Sequence, residues 1–240
     1  MIEVLQDLKS ISRMDIVSAI GDDVWRAFDS LTQSGVLTAE LCLRAFAENP
    51  NGVDFSASVV PLMKALENEL IRNFYVPYAN YLKKNYPLAS DYVRINNLTS
   101  LNQDPQDARR KIIWFNKKKN KYAYRNPYDK IKKKTEFTIG DFQYSAGVDD
   151  LSKVKCDKTA VAFYKNQYFG NGIDDSQIVV WICNLTQNLE GLRQLRNDSA
   201  HAGITQTLQN AKDAMNVIIK VDRVLMTVSN PTISIPQKNG

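Results

Sequence analysis

The stretch DDSQIVVWICNLTQNLEGLRQLRNDSAHAG, residues 174–203, decides how this chain is read. Asp174-Asp175-Ser176 supplies side-chain oxygens that can cap a helix start. Ile178, Ile182, Leu185, Leu189, Leu192 and the stem of Arg196 then recur at spacings of four, three, four, three and four. That is the period of one face of an α-helix and not the alternation of a strand. Ala202-Gly203 marks the end of the run, because glycine adopts the left-handed backbone that closes many helices. Thr205 is placed to cap a further helix, whose stripe reads Leu208, Ala211, Met215, Ile218, Val221, Leu225 and Val228 and runs to about Ser229. A connection this short makes two helices antiparallel neighbours, so the fold is expected to be a helical bundle.

Working upstream, a long helix is expected from about Ser56 to Asn85, capped by Asp54 or Ser56, with Pro61 tolerated in its first turns. Val59, Met63, Leu66, Leu70, Phe74 and Pro77/Tyr81 form its apolar stripe, and Pro77 predicts a kink or an end. Asn49-Pro50-Asn51-Gly52 is a turn cluster. Residues 1–48 read as short helices with breaks near Gly21 and at Ser34-Gly35.

Between Pro87 and about Gly172 the helical pattern fails. Gly/Asn/Pro punctuation there separates short β-like runs at Ile112–Phe115, Lys121–Tyr124, Glu136–Tyr144 and Ala160–Tyr164. The expected organisation is one mainly α domain. It comprises 1–86 (N-terminal helices and first long helix), 87–173 (a basic, partly β insertion), 174–229 (a helical hairpin) and 230–240 (a tail).

The formal net charge of +5 is unevenly placed. Arg109 to Lys134 hold 12 Lys/Arg and one acid, Asp129, while the rest of the chain has 19 basic and 25 acidic residues. All of the positive excess is therefore local, which suits a polyanion such as RNA. Lys117, Lys118, Lys119, Lys121, Arg125, Lys132, Lys133 and Lys134 are the candidate RNA-binding residues, with Trp114, Phe115, Tyr122, Tyr124 and Tyr128 interleaved as stacking faces. The same pattern also describes a solvated hairpin whose aromatics pack on the bundle.

Other chemistries find little support. Cys42, Cys156 and Cys183 are isolated, and one histidine in the whole chain leaves no metal-ligand spacing, so no metal and no cofactor are expected. No phosphate-binding glycine loop is present. Ser199 and His201, two residues apart on a helix, point away from each other and make no nucleophile pair. No run is long and apolar enough to span a bilayer and no leader pattern opens the chain, so a cytoplasmic protein without membrane contact is expected.

The sole histidine falls at the junction of the two best-defined helices, within Leu192-Arg193-Gln194-Leu195-Arg196-Asn197-Asp198-Ser199-Ala200-His201-Ala202-Gly203. This string resembles the R-x4-H element of the HEPN superfamily, both in its residues and in its place between the last two long helices. Ala65-Leu66-Glu67-Asn68-Glu69-Leu70 resembles the acid-bearing helix found earlier in such bundles. The resemblance covers roughly 56–84 and 174–228 and leaves the insertion out. It implies a HEPN-like bundle and a metal-independent endoribonuclease in which the 2′-OH attacks the adjacent phosphodiester. It further implies a two-fold homodimer that joins two Arg196/His201 sets, a role in bacterial defence or stress, and a possible protein partner in that system. Histidine titrates near neutrality and arginine offers a permanently charged fork for phosphate oxygens, so both residue types suit this chemistry. Asn197 is the third candidate, orienting the histidine or donating to the phosphate.

On a helical wheel Glu67 lies about 45° from the centre of the apolar stripe and Glu69 more than about 100° away. Glu67 is thus the fourth candidate, facing the bundle to pair with Arg196 or Arg193. In one respect the chain departs from the small toxin members of the superfamily: Gly203 stands where they often carry a modifiable tyrosine. The residues also allow a non-catalytic module binding RNA or a protein, or a scaffold in which Arg196 bonds helix-end carbonyls and Asp198 caps.

Overall fold

The computed structural model describes residues 2–86, 95, 113–116, 121–124, 137–148, 151–200 and 205–233, and these are mainly α-helical. The chain divides into two compact units, Met1–Leu70 with Glu190–Asn230, and Ile71–Leu189 with Pro231–Gly240.

In the first unit, α1 (Ile2–Ile20) ends at Gly21, whose φ of 90° is open to glycine, and α2 (Asp22–Ala27) follows. Asp29 then caps α3 (Ser30–Ala47) by accepting from the Thr32 N–H at 2.8 Å. The predicted break at Ser34-Gly35 is therefore displaced: it falls at Phe28-Asp29, and Gly35 lies inside α3. Gly35 is there for packing. A Cβ on it would sit 2.7 Å from the Pro61 carbonyl oxygen and 3.1 Å from the Ala65 Cβ, so only glycine lets α3 approach α4 (Ser56–Leu70) this closely. The turn between α3 and α4 is where Asn49–Gly52 predicts it, with Gly52 at φ 74°.

α4 packs on α3, on α9 (Leu208–Met215) and on α10 (Val224–Ser229). The last two correct the expectation of one helix from Thr205 to Ser229. Thr207, not Thr205, caps α9 by accepting from the Asn210 N–H. A π turn follows at Asn216–Lys220, and Arg223 turns the chain in the left-handed region at φ 52° before α10 begins. The break turns Val221 outward, leaving it 68% exposed.

In the second unit the predicted helix continues past Leu70 through a π turn, Ile71–Tyr75, into α5 (Val76–Asn85). The π turn is the response to Pro77, which has no N–H for the Asn73 carbonyl and whose ring crowds that oxygen. The Tyr168 hydroxyl donates to the Asn73 carbonyl at 2.7 Å in its place. Two predicted β runs are helical in part or in full: α6 (Asp141–Ala146) overlaps the end of Glu136–Tyr144, and α7 (Lys158–Tyr164) covers Ala160–Tyr164. Thr159, Ala160, Val161, Phe163 and Tyr164 are all buried, and a helix covered on most sides reads as an unbroken apolar run, as a buried strand does.

The core of this unit is aromatic. Phe74 stacks between Tyr78 at 5.1 Å and Tyr164 at 5.7 Å, with Phe142 at 4.7 Å, and the Tyr78 hydroxyl pairs with the Thr159 hydroxyl at 2.9 Å. Within the predicted insertion, β1 (Ile113–Asn116) pairs antiparallel with β2 (Lys121–Tyr124). α8 (Asp175–Ala200) begins in the second unit and ends in the first. At its start the Gln177 side-chain oxygen accepts from the Asp174 N–H at 3.1 Å. Ile178, Ile182, Leu185, Leu189 and Leu192 are all buried. Among the described residues no helix is long and apolar enough to cross a membrane.

Gly35 gives the first prediction. Gly→Ala in an open helix gains about 1 kcal/mol of stability. Gly35→Ala is expected instead to cost about 1–3 kcal/mol, because the new methyl meets the Pro61 carbonyl. Urea unfolding measures the sign, and a stabilised variant would contradict the close α3–α4 packing.

Candidate functional site

The site begins with the burial of α4. Nine of its 15 residues are buried, so it presents core-facing positions around most of its circumference, and three of the nine are polar (Ser58, Glu67, Glu69). A buried polar group needs a partner. Ser58 donates to the Ala39 carbonyl at 2.8 Å. Glu69, fully buried, accepts from the Thr32 hydroxyl at 2.8 Å and from the Ser229 hydroxyl at 3.0 Å. This corrects the wheel-based placement of Glu69 away from the core, which assumed a single buried face.

Glu67 takes the partner the sequence suggests. Its carboxylate lies 3.4 Å from the Arg196 Nε, with the Glu67 side chain 8% and the Arg196 side chain 29% exposed. Arg193, the other partner considered, turns to its own helix and holds Glu190 through both carboxylate oxygens at 2.7 and 2.5 Å. At that distance the two side chains form an ion pair, in which the guanidinium balances the charge of a largely buried carboxylate. Among the described residues Arg196 has no other ion pair or hydrogen bond.

The chain beyond the motif is fastened to the same helix. The Gln206 N–H donates to the Asp54 Oδ1 at 2.9 Å, and the Gln206 carbonyl accepts from the Phe55 N–H at 3.0 Å. Asp54 also accepts from the N–H and hydroxyl of Ser56 at the start of α4. These bonds hold the Asp54 carboxyl below the usual carboxylate range, the Ser56 N–H foremost and the Gln206 N–H next. Residues 196 and 206, on either side of His201, are thus tied to the body and to the start of α4. Sequence reasoning offered Asp54 as a helix cap and missed its second bond. Nothing in the local pattern signals a partner 152 positions away.

Of the sequence candidates, the structure brings together Glu67 and Arg196. Asn197 is half-buried in the last turns of α8, and the Ser199 hydroxyl is committed to the Leu195 carbonyl at 2.7 Å. His201 lies outside the described residues, as do Lys117, Lys118, Lys119, Arg125, Lys132, Lys133 and Lys134, while Lys121 opens β2. Among the described residues no three His, Cys, Asp or Glu side chains come together to hold a metal ion. No protein-family model, curated protein or solved structure matches the chain.

Two predictions follow from these contacts. Arg196→Met should destabilise the protein by about 2 kcal/mol by removing the cation beside a largely buried carboxylate. In that background Glu67→Gln should recover roughly half, a coupling of about 1 kcal/mol in denaturant melts. Additive effects would mean that the two side chains do not interact. For Asp54 the folded carboxyl lies below its unfolded value, so its contribution is present above about pH 4 and fades as the pH falls through the folded value. Asp54→Asn should therefore lower Tm at pH 7, with the gap to wild type closing in acid. A gap independent of pH would sink this assignment.

Proposed function

We propose that the chain is a metal-independent endoribonuclease of HEPN type, a homodimer that cleaves RNA by attack of a 2′-OH on the adjacent phosphodiester in bacterial defence or stress. Arg196 and His201 are the catalytic pair, Asn197 assists, and Glu67 positions the arginine. The observation that carries this reading is the Glu67–Arg196 pair at 3.4 Å, five residues before the only histidine of the chain. A structural arginine near a helix end is expected to satisfy its terminal nitrogens on carbonyls. The Glu67 carboxylate beside Arg196 supports a role for this guanidinium in meeting a phosphate, because the pair keeps the cation near the motif.

The roles divide by chemistry. As the 2′-oxygen attacks, negative charge grows on the non-bridging oxygens of the phosphate, and a fixed guanidinium stabilises that charge more than it stabilises the ground state. The proton leaving the 2′-OH and the proton reaching the departing 5′-oxygen need a group that titrates near neutrality, which among this chain's residues is His201. Lys117–Lys119, Lys121, Arg125 and Lys132–Lys134 then serve as the electrostatic hold on the RNA.

The test is cleavage of single-stranded RNA in EDTA. His201→Ala should reduce the rate by roughly 10²–10⁴-fold. Arg196→Lys, which keeps charge but loses the fork, should lower it by about 10²-fold or more. Glu67→Gln should reduce the rate less than either. If neither wild type nor variant cleaves while both bind RNA in a salt-dependent way, the protein is a non-catalytic binding module and the proposal fails.

A further inference from the structure

From Ser58 to Leu70 every residue of α4 is buried or half-buried except Lys64, which is exposed. Lys64 stands three residues before Glu67, so the two lie about 60° apart around the helix, with Cβ atoms about 5–6 Å apart. This helix therefore opens to solvent one turn from the carboxylate that pairs with Arg196. Long side chains on a helix lean toward its N-terminus. For Lys64 that is the end where Gln206 is fastened to Asp54 and Phe55. The lysine thus lies along α4 between the two ties, at Arg196 and at Gln206, that flank His201 in the sequence. Among the described residues it makes no ion pair and no hydrogen bond.

The charges around it explain why that matters. Glu67 balances Arg196, Glu190 balances Arg193, and Asp198 adds a further negative charge. Over these five side chains the acids outnumber the bases, so the end of α8 by itself does not attract a polyanion. A guanidinium paired with a carboxylate can still meet charge that develops in a transition state. Holding a strand in the ground state needs a cation whose charge is not already balanced. Lys64 supplies one: an ammonium on a flexible stem, able to meet a phosphate oxygen from several directions.

We propose that Lys64 is a substrate-binding residue of the Arg196 site, its ammonium pairing with a phosphate of single-stranded RNA next to the one that is cut. The inference rests on the endoribonuclease reading for which phosphate is cut, whereas the contact itself requires only that the strand lies along this face of α4. The two cations then have different parts. Lys64 holds the strand equally in the ground and transition states, and Arg196 meets the charge that grows on the scissile phosphate.

Binding is read first, with the full chain carrying His201→Ala, by fluorescence anisotropy of a labelled oligouridylate over a series of KCl concentrations. Lys64→Gln should reduce the magnitude of the salt slope by about 0.7, the value of one phosphate contact on a single strand, and weaken binding about fivefold at about 0.1 M KCl. Lys64→Arg, which keeps the charge, should restore both. Lys9→Gln, at an exposed lysine of α1 in the same unit, should change neither. An unchanged slope in Lys64→Gln, or an equal loss in Lys9→Gln, overturns the proposal whether or not the protein cuts RNA. Cleavage in EDTA is read next, with His201 intact. Lys64→Gln should raise KM about fivefold and leave kcat within about twofold. A fall in kcat as large as that of Arg196→Lys, with KM unchanged, overturns the assignment of a ground-state hold. If the wild type cuts nothing, the endoribonuclease reading fails, and the anisotropy series still decides the Lys64 contact.

Discussion

The first unit depends on one constraint: α4 is buried around most of its circumference while carrying Ser58, Glu67 and Glu69 on buried faces. Each polar side chain on such a helix must find a protein partner or destabilise the fold. The partners it finds come from three other helices. Ala39 and Thr32 lie on α3, Ser229 ends α10, and Arg196 lies near the end of α8. Segments far apart in sequence are thereby locked around one rod. Arg196 owes its pose to the same rule that pairs Glu69 with two hydroxyls.

A second example of enforced satisfaction shapes the other unit. Pro77 removes a donor from the middle of a long helix, the backbone widens into a π turn, and Tyr168 supplies the missing hydrogen bond to Asn73. That bond fixes the Tyr168 ring beside Arg72. In both units a backbone or burial problem is solved by a side chain whose resulting orientation is the feature with chemical interest. Glu40, buried in α3, follows the rule only in part: its Oε1 accepts from Arg44 at 2.9 Å, while its buried Oε2 has no hydrogen bond and only the charge of Lys220 at 3.8 Å.

How much of this was legible in the sequence depends on the range of the interaction that decides it. Ile178, Ile182, Leu185, Leu189 and Leu192 are core residues at a spacing set by helix geometry alone, so periodicity reads them directly. The Ser56–Asn85 helix and the trouble at Pro77 follow from local covalent rules. Gly35 misleads for the opposite reason. Its local signal is a break, and the close approach of Pro61 that explains it is tertiary. Ala160–Tyr164 looks like a strand because burial on most sides erases the helical period, and Glu69 looks exposed because the wheel assumed one buried face. Arg223 ends a stripe that hydrophobicity carries straight through to Val228, a backbone turn that no apolar pattern encodes. At the candidate site the Glu67–Arg196 pairing was within reach of a wheel and a charge rule. The Asp54–Gln206 tie, across 152 positions, was not.

These constraints leave a guanidinium held by a buried carboxylate at the end of α8 and a chain fastened again at Gln206, with the only histidine between them. The proposed chemistry makes the substrate's own 2′-oxygen the nucleophile, and no bound metal is required for that attack. The most direct measurement is therefore digestion, in EDTA, of a single-stranded RNA and of the same sequence with 2′-deoxy sugars throughout, followed by analysis of the ends. The account predicts that the RNA alone is cut, leaving 5′-hydroxyl and 2′,3′-cyclic phosphate termini. Cutting of the 2′-deoxy strand at a comparable rate, or an RNA left intact by the protein, would contradict it.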